Sequence, residues 1–284
     1  DANGSSGANG QQTGTTTSII NITAVNDAPT LTTFTVPFAS TNEDIEVEIT
    51  FANLLAQGDA ADIDGTVNAF VIKAVSTGTI KIGTSAGVAT AWNASSNATI
   101  DATKKAYWTP ASNFNGTLNA FTAVAKDNDG LESATAVQVV VSVILVNDAP
   151  VITTSGSLSY TEAVAAAAIQ PSLTLSDVDD TQITGGSISL TNPVTGDTLS
   201  FTNTGTITGI FSGGVLTLTG TDTLANYQAA LREICFSSTS NDPTVNGTRP
   251  TRTVTFSVTD ANGSSGANGQ QTGTTTSTIN ITGT

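Results

Sequence analysis

The chain contains 284 residues, with 8 Lys and Arg against 23 Asp and Glu, which gives a formal charge of −15. This length allows two domains that each bury a core. So few basic residues exclude a nucleic-acid partner, because phosphate binding requires clustered Lys and Arg, whereas the acidity suits hard divalent cations. The chain has no histidine to act as a base in acyl transfer, and its single cysteine is Cys235. We therefore expect that the chain is not an enzyme.

The two ends of the chain carry the same sequence. Residues 1–18 recur unchanged as residues 260–277, an offset of 260 − 1 = 259 positions. The match continues from residues 20–23 to residues 279–282, and only Ile19 is replaced, by Thr278. Such identity indicates a recent tandem duplication. We therefore predict that residues 1–24 are the last loop and strand of a preceding repeat, and that the chain belongs to a longer repetitive polypeptide.

A second repeated feature is the pentapeptide Val-Asn-Asp-Ala-Pro, found at residues 25–29 and again at residues 146–150. Its proline removes a backbone donor and fixes φ, so a strand ladder ends there. We interpret residues 25–29 as the first linker and residues 147–150 as the second linker. They delimit two predicted domains, residues 30–146 and residues 151–284.

Short alternating segments dominate both predicted domains. In the first domain they cover residues 46–51, 79–82, 105–109, 119–125 and 137–143. In the second they cover residues 157–160, 187–190, 198–201, 215–219 and 251–258. This density of short strands between turn residues is typical of an all-β Greek-key sandwich.

One segment of the second domain has helical periodicity instead. Leu224, Tyr227, Leu231 and Ile234 fall on one helical face, and Thr223 or Asp222 can cap its start. We predict tandem Greek-key β-sandwiches, the second of which has a short helix.

Acidic residues occupy corresponding places in the two domains. Each has an early Glu, then an Asp-x-Asp motif, then an Asp that ends the penultimate strand, and each linker adds an Asn-Asp pair. In chain order these residues are Asn26, Asp27, Glu43, Asp62, Asp64, Asp127, Asn147, Asp148, Glu162, Asp177, Asp179 and Asp260. Each motif alone is also an ordinary turn signal. Their joint recurrence favours Ca²⁺, which takes roughly six to eight oxygen ligands.

With its Asn-Asp-x-Pro linkers, early Glu, Asp-x-Asp and late Asp, the whole chain resembles the cadherin-like modules of large bacterial adhesins. The resemblance implies that Ca²⁺ sits between successive domains. At the second linker its ligands would be Glu43, Asn147, Asp148, Asp177, Asp179 and Asp260. At the first linker they would be Asn26, Asp27, Asp62, Asp64 and Asp127, with the upstream Glu outside the chain. Glu162 would serve a following junction.

The chain departs from animal cadherins in two respects. Their acidic linkers begin with an extra Asp, where this chain has Leu145 or Ala24, so we expect fewer ions at each junction. Neither predicted domain has a tryptophan near its beginning, so strand-swapped adhesion of the animal type is not expected.

The leading functional prediction is a structural spacer in the stalk or surface filament of a secreted, extracellular bacterial adhesin. Its partners would be neighbouring repeats or subunits, and absent domains would hold the adhesion target. One alternative is a carbohydrate- or protein-binding module that uses Trp92, Trp108 and Tyr107, where alternation predicts that one of the last two faces outward. Another is a polymer in which residues 1–24 donate a strand to a neighbouring chain. Paired carboxylates could also hydrolyse glycosides, but no catalytic pair is identifiable.

Overall fold

The computed structural model describes residues 13–263 and 265–283 of the chain. The described residues form two large hydrophobic clusters, one between Leu31 and Val143 and the other between Ile152 and Ile281, and a small third one of Val71, Ala98 and Val124. Strands supply most of the buried residues in both large clusters. The predicted all-β class is therefore confirmed, while the predicted domain boundaries stay a prediction.

The first cluster lies between a five-stranded and a four-stranded sheet. The elements in chain order are β1 (Ala39–Asn42), β2 (Val47–Ile49), α1 (Phe51–Gln57), β3 (Val67–Val75), β4 (Thr79–Gly83), β5 (Thr90–Ala91), β6 (Thr99–Asp101), β7 (Lys105–Thr109), β8 (Gly116–Asp127) and β9 (Val137–Ile144). The larger sheet has the order β1-β9-β8-β3-β6 and the smaller one β2-β7-β4-β5. Strand β1 pairs with β9 in parallel, and the other pairs are antiparallel.

Helix α1 corrects the sequence-based strand prediction for residues 46–51. Strand β2 ends at Ile49, and Thr50 caps the helix that follows. The Thr50 hydroxyl accepts a 3.0 Å hydrogen bond from the Asn53 backbone, and the Asn53 side chain accepts one of 3.0 Å from the Thr50 backbone. This reciprocal cap satisfies amides that a strand would have paired with its neighbour, and buried Leu54 anchors the helix to the core.

The second cluster is enclosed by sheets of six, three and two strands. The elements are β10 (Val151–Thr153), β11 (Leu158–Thr161), β12 (Ala167–Ala168), β13 (Thr174–Ser176), β14 (Gln182–Thr191), β15 (Asp197–Ser200), β16 (Thr208–Ser212), β17 (Val215–Thr223), α2 (Leu224–Arg232), β18 (Cys235–Ser238), β19 (Thr251–Asp260) and β20 (Thr272–Thr282). The sheet orders are β11-β20-β19-β14-β17-β16, β12-β18-β15 and β10-β13. The predicted helix is present as α2, with Thr223 as its cap.

A parallel strand pair recurs at the edge of each larger sheet. In the first, Asn42 of β1 is opposite Ile144 of β9, and in the second, Thr161 of β11 is opposite Thr282 of β20. The next residues, Glu43 and Glu162, donate backbone hydrogen bonds of 2.9 Å to Ile144 and Thr282. The early glutamates are thereby placed where the last strand of each larger sheet ends.

Residues 13–23 differ from the prediction made for the first 24 residues. They form no strand, although their sequence matches β20, and Ile20 and Ile22 are 82% and 89% exposed. Their assignment to a preceding repeat stays a prediction, and residues 1–12 lie outside the described residues. Neither described helix is long and apolar enough to cross a bilayer.

Candidate metal centre at the second linker

The backbone of the second linker is held by the loop between β19 and β20. Asn147 donates its amide to Ala267 at 3.0 Å, and Ala267 donates to Leu145 at 3.1 Å. A side chain at Gly266 would lie 2.1 Å from Leu145 Cδ2 and 2.7 Å from Asn147 N, so only glycine permits this approach. The low-complexity sequence of this loop therefore has a structural role that sequence reasoning missed.

The side chain of Asn147 points into the second domain. Its Nδ2 donates to Asp260 Oδ2 at 2.9 Å and to the Gly269 carbonyl at 2.8 Å. Asn147 is 2% exposed, and its Oδ1 is buried with no hydrogen-bond partner among the described residues. Asn147 Nδ2 thus donates to two acceptors, and Asn147 Oδ1 could accept from or coordinate a further group.

Three carboxylates converge beside Asn147. Asp177 Oδ1 accepts hydrogen bonds of 2.9 Å from the amides of Asp179 and Asp180, which closes a tight turn after β13. Asp180 is buried and accepts a 2.6 Å bond from Gly263. Carboxylate oxygens of Asp177, Asp180 and Asp260 all lie within 4.8 Å of one another. Asp177 Oδ2 is buried without a hydrogen-bond partner in the described chain.

Asp180 was left out of the predicted ligand set, and the structure brings it into this group. Asp179, which was predicted, accepts the backbone amide of Asp148 at 2.8 Å instead. Asp179 is also an electrostatic neighbour of Glu43 and Asp148, so both carboxylates of the Asp-x-Asp motif lie at the second linker. The signal that could have identified Asp180 is the third acid of Asp177-Val-Asp179-Asp180, because the first domain has Gly65 at that position.

Glu43 approaches the second linker from the first domain, where it is an electrostatic neighbour of Asp148 and Asp179. Its side chain is 4% exposed, and Oε1 accepts a 2.5 Å hydrogen bond from the Val146 amide. Its Oε2 is buried with no hydrogen-bond partner in the described part of the chain. Burial raises the pKa of Glu43 against the lowering effect of the Val146 bond, and the charges of Asp179 and Asp148 raise it further.

The electrostatics of this group favour a cation. We call Glu43, Asn147, Asp148, Asp177, Asp179, Asp180 and Asp260 the second-linker cluster. Burial raises the pKa values of Asp148 and Asp177, and neighbouring aspartates raise them further. The ion pairs in the described residues use other acids, namely Glu132, Glu46, Glu48 and Asp197. Clustered carboxylates, together with buried oxygens of Glu43, Asn147 and Asp177 that have no hydrogen-bond partner among the described residues, match the hard donor set that Ca²⁺ requires.

The first linker repeats part of this arrangement. Asn26 Nδ2 donates to Asp127 Oδ2 at 2.8 Å, as Asn147 does to Asp260. Asp27 donates its amide to Asp64 at 3.2 Å, and Asp62 accepts a 3.3 Å bond from the Asp64 amide. Asp62 Oδ2 is buried with no partner in the described chain. We call Asn26, Asp27, Asp62, Asp64 and Asp127 the first-linker cluster.

The two clusters differ in charge and exposure. The first-linker cluster has no described counterpart of Glu43, and Gly65 replaces Asp180. Asp27 and Asp64 are exposed, whereas Asp148 and Asp179 are half-buried. In Asp127, burial raises the pKa, but the hydrogen bonds from Asn26 and three backbone amides lower it more, so the net shift is downward. The acidic cluster is therefore larger and less exposed at the second linker.

Glu162 belongs to neither cluster. It follows β11 at the end of β20 and shares a shallow cleft with Asn241, Asp242 and Thr244. It is placed in the second domain as Glu43 is placed in the first, at the end away from the second linker. The prediction that it serves a following junction stays a prediction.

The aromatic residues offered for the binding alternative are covered. Trp108 is fully buried and donates to the Thr77 carbonyl at 2.7 Å, and half-buried Trp92 donates to Ile72 at 3.3 Å. Tyr107, which alternation left free to face outward, is only 3% exposed, because Glu48 and Lys105 lie beside it. Tyr107 lies outside the core cluster that contains Trp108, in agreement with the predicted alternation, but long charged side chains cover it on the outer face of the sheet.

Comparisons with known proteins identify solved structures that the chain resembles. It is similar to PcdhgB3 EC1-4, at 12% identity and a TM-score of 0.39, over 90% of this chain and 50% of that one. It is similar to human mucin-like protocadherin EC1-2, at 15% identity and a TM-score of 0.31, over 90% of this chain and 98% of that one. An endo-fucoidan hydrolase from glycoside hydrolase family 107 also matches, at 14% identity and a TM-score of 0.28, over 90% of this chain and 29% of that one.

The chain thus spans half the length of the PcdhgB3 structure. All three TM-scores lie below 0.5, so the fold class rests on the sheets themselves. No protein-family model and no curated protein matches the chain.

Proposed function

We propose that the chain forms consecutive structural repeats of an extracellular stalk, and that Ca²⁺ stiffens the junction between them. The observation that supports this most directly is the second-linker cluster. Glu43 follows the first strand of one larger sheet, Asn147 and Asp148 belong to the linker, and Asp177, Asp180 and Asp260 belong to the second domain. An ion bound by all three parts would couple them.

The residues that would hold the ion are those of the second-linker cluster with a buried oxygen atom or a carboxylate in the Asp177–Asp180–Asp260 group. They are Glu43 through Oε2, Asn147 through Oδ1, Asp177 through Oδ2, and the carboxylates of Asp180 and Asp260. Bound Ca²⁺ would supply positive charge to carboxylates that otherwise repel one another. Hard oxygen donors of this kind are its usual ligands in proteins.

The role of the chain itself is to hold these acids in place without the ion. Backbone amides hold one oxygen of Asp177 and one of Glu43, and the second oxygen of each has no hydrogen-bond partner among the described residues. The fold thus keeps like charges together at a cost in electrostatic free energy. A ligand that binds only the assembled junction stabilises it by RT ln(1 + [L]/Kd), about 2.7 kcal/mol at a concentration of 100 Kd.

Mechanically, this coupling would restrict bending at the linker. Without a cation, the Glu43 side chain and the aspartates of the second domain repel, and the linker hydrogen bonds alone oppose bending. With a cation bound, the same carboxylates are attracted to the ion between them. The predicted partners are neighbouring repeats or subunits, and the predicted setting is a secreted bacterial surface protein.

Small-angle X-ray scattering of the chain in millimolar Ca²⁺ and in excess chelator tests the proposal. We expect the maximum dimension to fall and the pair-distance distribution to broaden in chelator. Glu43→Gln should behave in Ca²⁺ as the parent chain does in chelator. Glu48→Gln is the matched control, because Glu48 also lies in the first domain but belongs to the four-stranded sheet and pairs with Lys105 at the surface. Identical scattering of the parent chain in both buffers would refute the stiffening role.

A further inference from the structure

Residues 13–23 have the sequence of an interior strand but no strand partner among the described residues. They match β20 at 10 of 11 positions, since Thr13 to Thr23 correspond to Thr272 to Thr282 and only Ile19 and Thr278 differ. In β20 this sequence is paired on both sides, with β19 antiparallel and β11 parallel. The same sequence thus exists once in a sheet and once exposed to solvent.

The place that β20 occupies, which we call the β20 seat, requires specific residues. Its buried positions are Gly273, Ser277, Ile279 and Ile281. Ser277 Oγ accepts a 2.5 Å hydrogen bond from buried Gln170. A Cβ at Gly273 would lie 1.7 Å from the Pro150 carbonyl oxygen, so a side chain cannot be accommodated there. The seat therefore selects glycine, serine and two isoleucines at fixed spacing.

Residues 13–23 meet each of these requirements. Gly14, Ser18, Ile20 and Ile22 correspond to the four buried residues of β20. The one difference, Ile19, falls at the position of half-exposed Thr278, where another β-branched residue suits a strand. Exposed Ile20 and Ile22 would be buried in the seat, as Ile279 and Ile281 are.

The chain cannot fill its own seat with this segment. Asn26 is bonded to Asp127 at the end of β8, whereas the second linker follows β9 at the other end of that strand pair. Strand β8 has 12 residues, which is a length of about 40 Å. With Thr23 in the place of Thr282, the chain would have three residues, about 11 Å at most, in which to reach Asn26. The β20 seat of this second domain is therefore out of reach, and a seat for residues 13–23 has to come from a second copy of the repeat.

We propose that residues 13–23 are a donor strand for the β20 seat of a second copy of this chain. The contact is head to tail, because the donor precedes the first domain and the seat lies in the second. A chain's own β20 competes with the donor strand for the seat, because its covalent connection gives it a high effective concentration, about millimolar for a short connection. Donation therefore becomes dominant when the seat is open or when chains are concentrated. Strand donation does not depend on Ca²⁺.

The test uses the two matched glycines in the full chain. Gly273→Val should prevent β20 from seating, and the intact donor strand of a second molecule should then fill the seat. Light scattering with size-exclusion chromatography should give multiples of the 28.6 kDa monomer. The double variant Gly14→Val/Gly273→Val should lose these multiples, because neither strand fits. Gly14→Val alone should remain a folded monomer, since no atom lies within 4 Å of the position that a Cβ at Gly14 would occupy.

A fluorescent peptide of residues 13–23 provides a second measurement if Gly273→Val is poorly soluble. It should bind freshly refolded Gly273→Val at least tenfold more tightly than the same peptide with Gly14→Val. Equal masses for the single and double variants together with equal binding of the two peptides would overturn the proposal. Aggregation through exposed apolar surface would affect both variants alike and would count against it in the same way.

Discussion

Asn147 donates a 2.9 Å hydrogen bond from Nδ2 to Oδ2 of Asp260, a residue 113 positions further along the chain. This bond fixes the linker to the last residue of β19, and the pair Asn26–Asp127 reproduces it in the first domain at 2.8 Å. Asn147 Oδ1 is buried with no hydrogen-bond partner among the described residues. The Asn of the repeated linker therefore has two separate tasks, one structural and one as a candidate ligand.

Asn147→Ala should destabilise the second domain even without a cation. It removes the donor to Asp260 and to the Gly269 carbonyl, both in a buried setting. Loss of a buried partner costs about 1–3 kcal/mol. Urea unfolding followed by circular dichroism in chelator measures the change. Asn26→Ala is the comparison, and its effect should be smaller because Asn26 is only half-buried. Equal losses would show that burial of the linker is unimportant.

Asp180→Asn should weaken Ca²⁺ binding at the second linker. The substitution removes one of the three carboxylates that lie within 4.8 Å of one another, and loss of a group at or beside a metal site typically lowers affinity about 10- to 100-fold. Isothermal titration with Ca²⁺ measures it. Asp242→Asn is the control, because Asp242 lies in the loop before β19, at the opposite end of that strand from Asp260. Unchanged affinity in Asp180→Asn would remove Asp180 from the site.

Asp59 should give the first domain a pH dependence that is independent of metal. Hydrogen bonds from the Thr32 hydroxyl and from the amides of Thr32 and Thr33 lower the pKa of Asp59 to about 2. The native state holds this carboxylate deprotonated more strongly than the unfolded chain, so its contribution to stability is complete above the unfolded pKa, about 3.9. That contribution is lost as the pH falls toward 2.

The measurement compares Asp59→Asn with the parent chain in chelator between pH 7 and pH 2. We expect the variant to be less stable at pH 6 and the difference in unfolding free energy to shrink between about pH 4 and pH 2. A difference that is constant across this range would mean that the carboxylate charge has no part in the effect. Trp92 and Trp108 both lie in the first domain, so tryptophan fluorescence reports its unfolding selectively.

The buried pair Arg252–Asp197 should show strong coupling. Arg252 Nε lies 2.6 Å from Asp197 Oδ2, and both side chains are fully buried. Removing one partner leaves an uncompensated buried charge, so Arg252→Met should cost about 3–5 kcal/mol. Arg252→Met/Asp197→Leu should recover much of this loss. Recovery will be incomplete, because Arg252 also donates to the carbonyl groups of Pro243 and Arg249.

A double-mutant cycle from urea unfolding measures this coupling. Strictly additive losses would show that the two charges do not depend on each other. Glu48→Gln is a useful reference for an exposed pair, since Glu48 and Lys105 are 45% and 37% exposed and surface pairs contribute about 0–1 kcal/mol.

The sequence by itself determined the features that depend on local chemistry. Alternation of apolar residues fixed β7, β9 and β19 because side chains alternate between the faces of a strand. Helical spacing and a threonine cap fixed α2 for the same kind of local reason. The recurrence of Asn147, Asp177 and Asp260 at matching places was visible as a pattern, and it predicted that oxygen ligands gather at the linkers.

Only the tertiary structure decided which acids meet. Asp180 joins Asp177 and Asp260, whereas Asp179 turns to the Asp148 amide, because a tight turn rotates successive side chains by amounts that spacing alone does not specify. Helix α1 replaced a predicted strand end, because the Thr50–Asn53 cap competes with strand pairing. Residues 13–23 and β20 share a sequence, yet only β20 is a strand, because a strand needs neighbours on its edges and sequence does not say where they are.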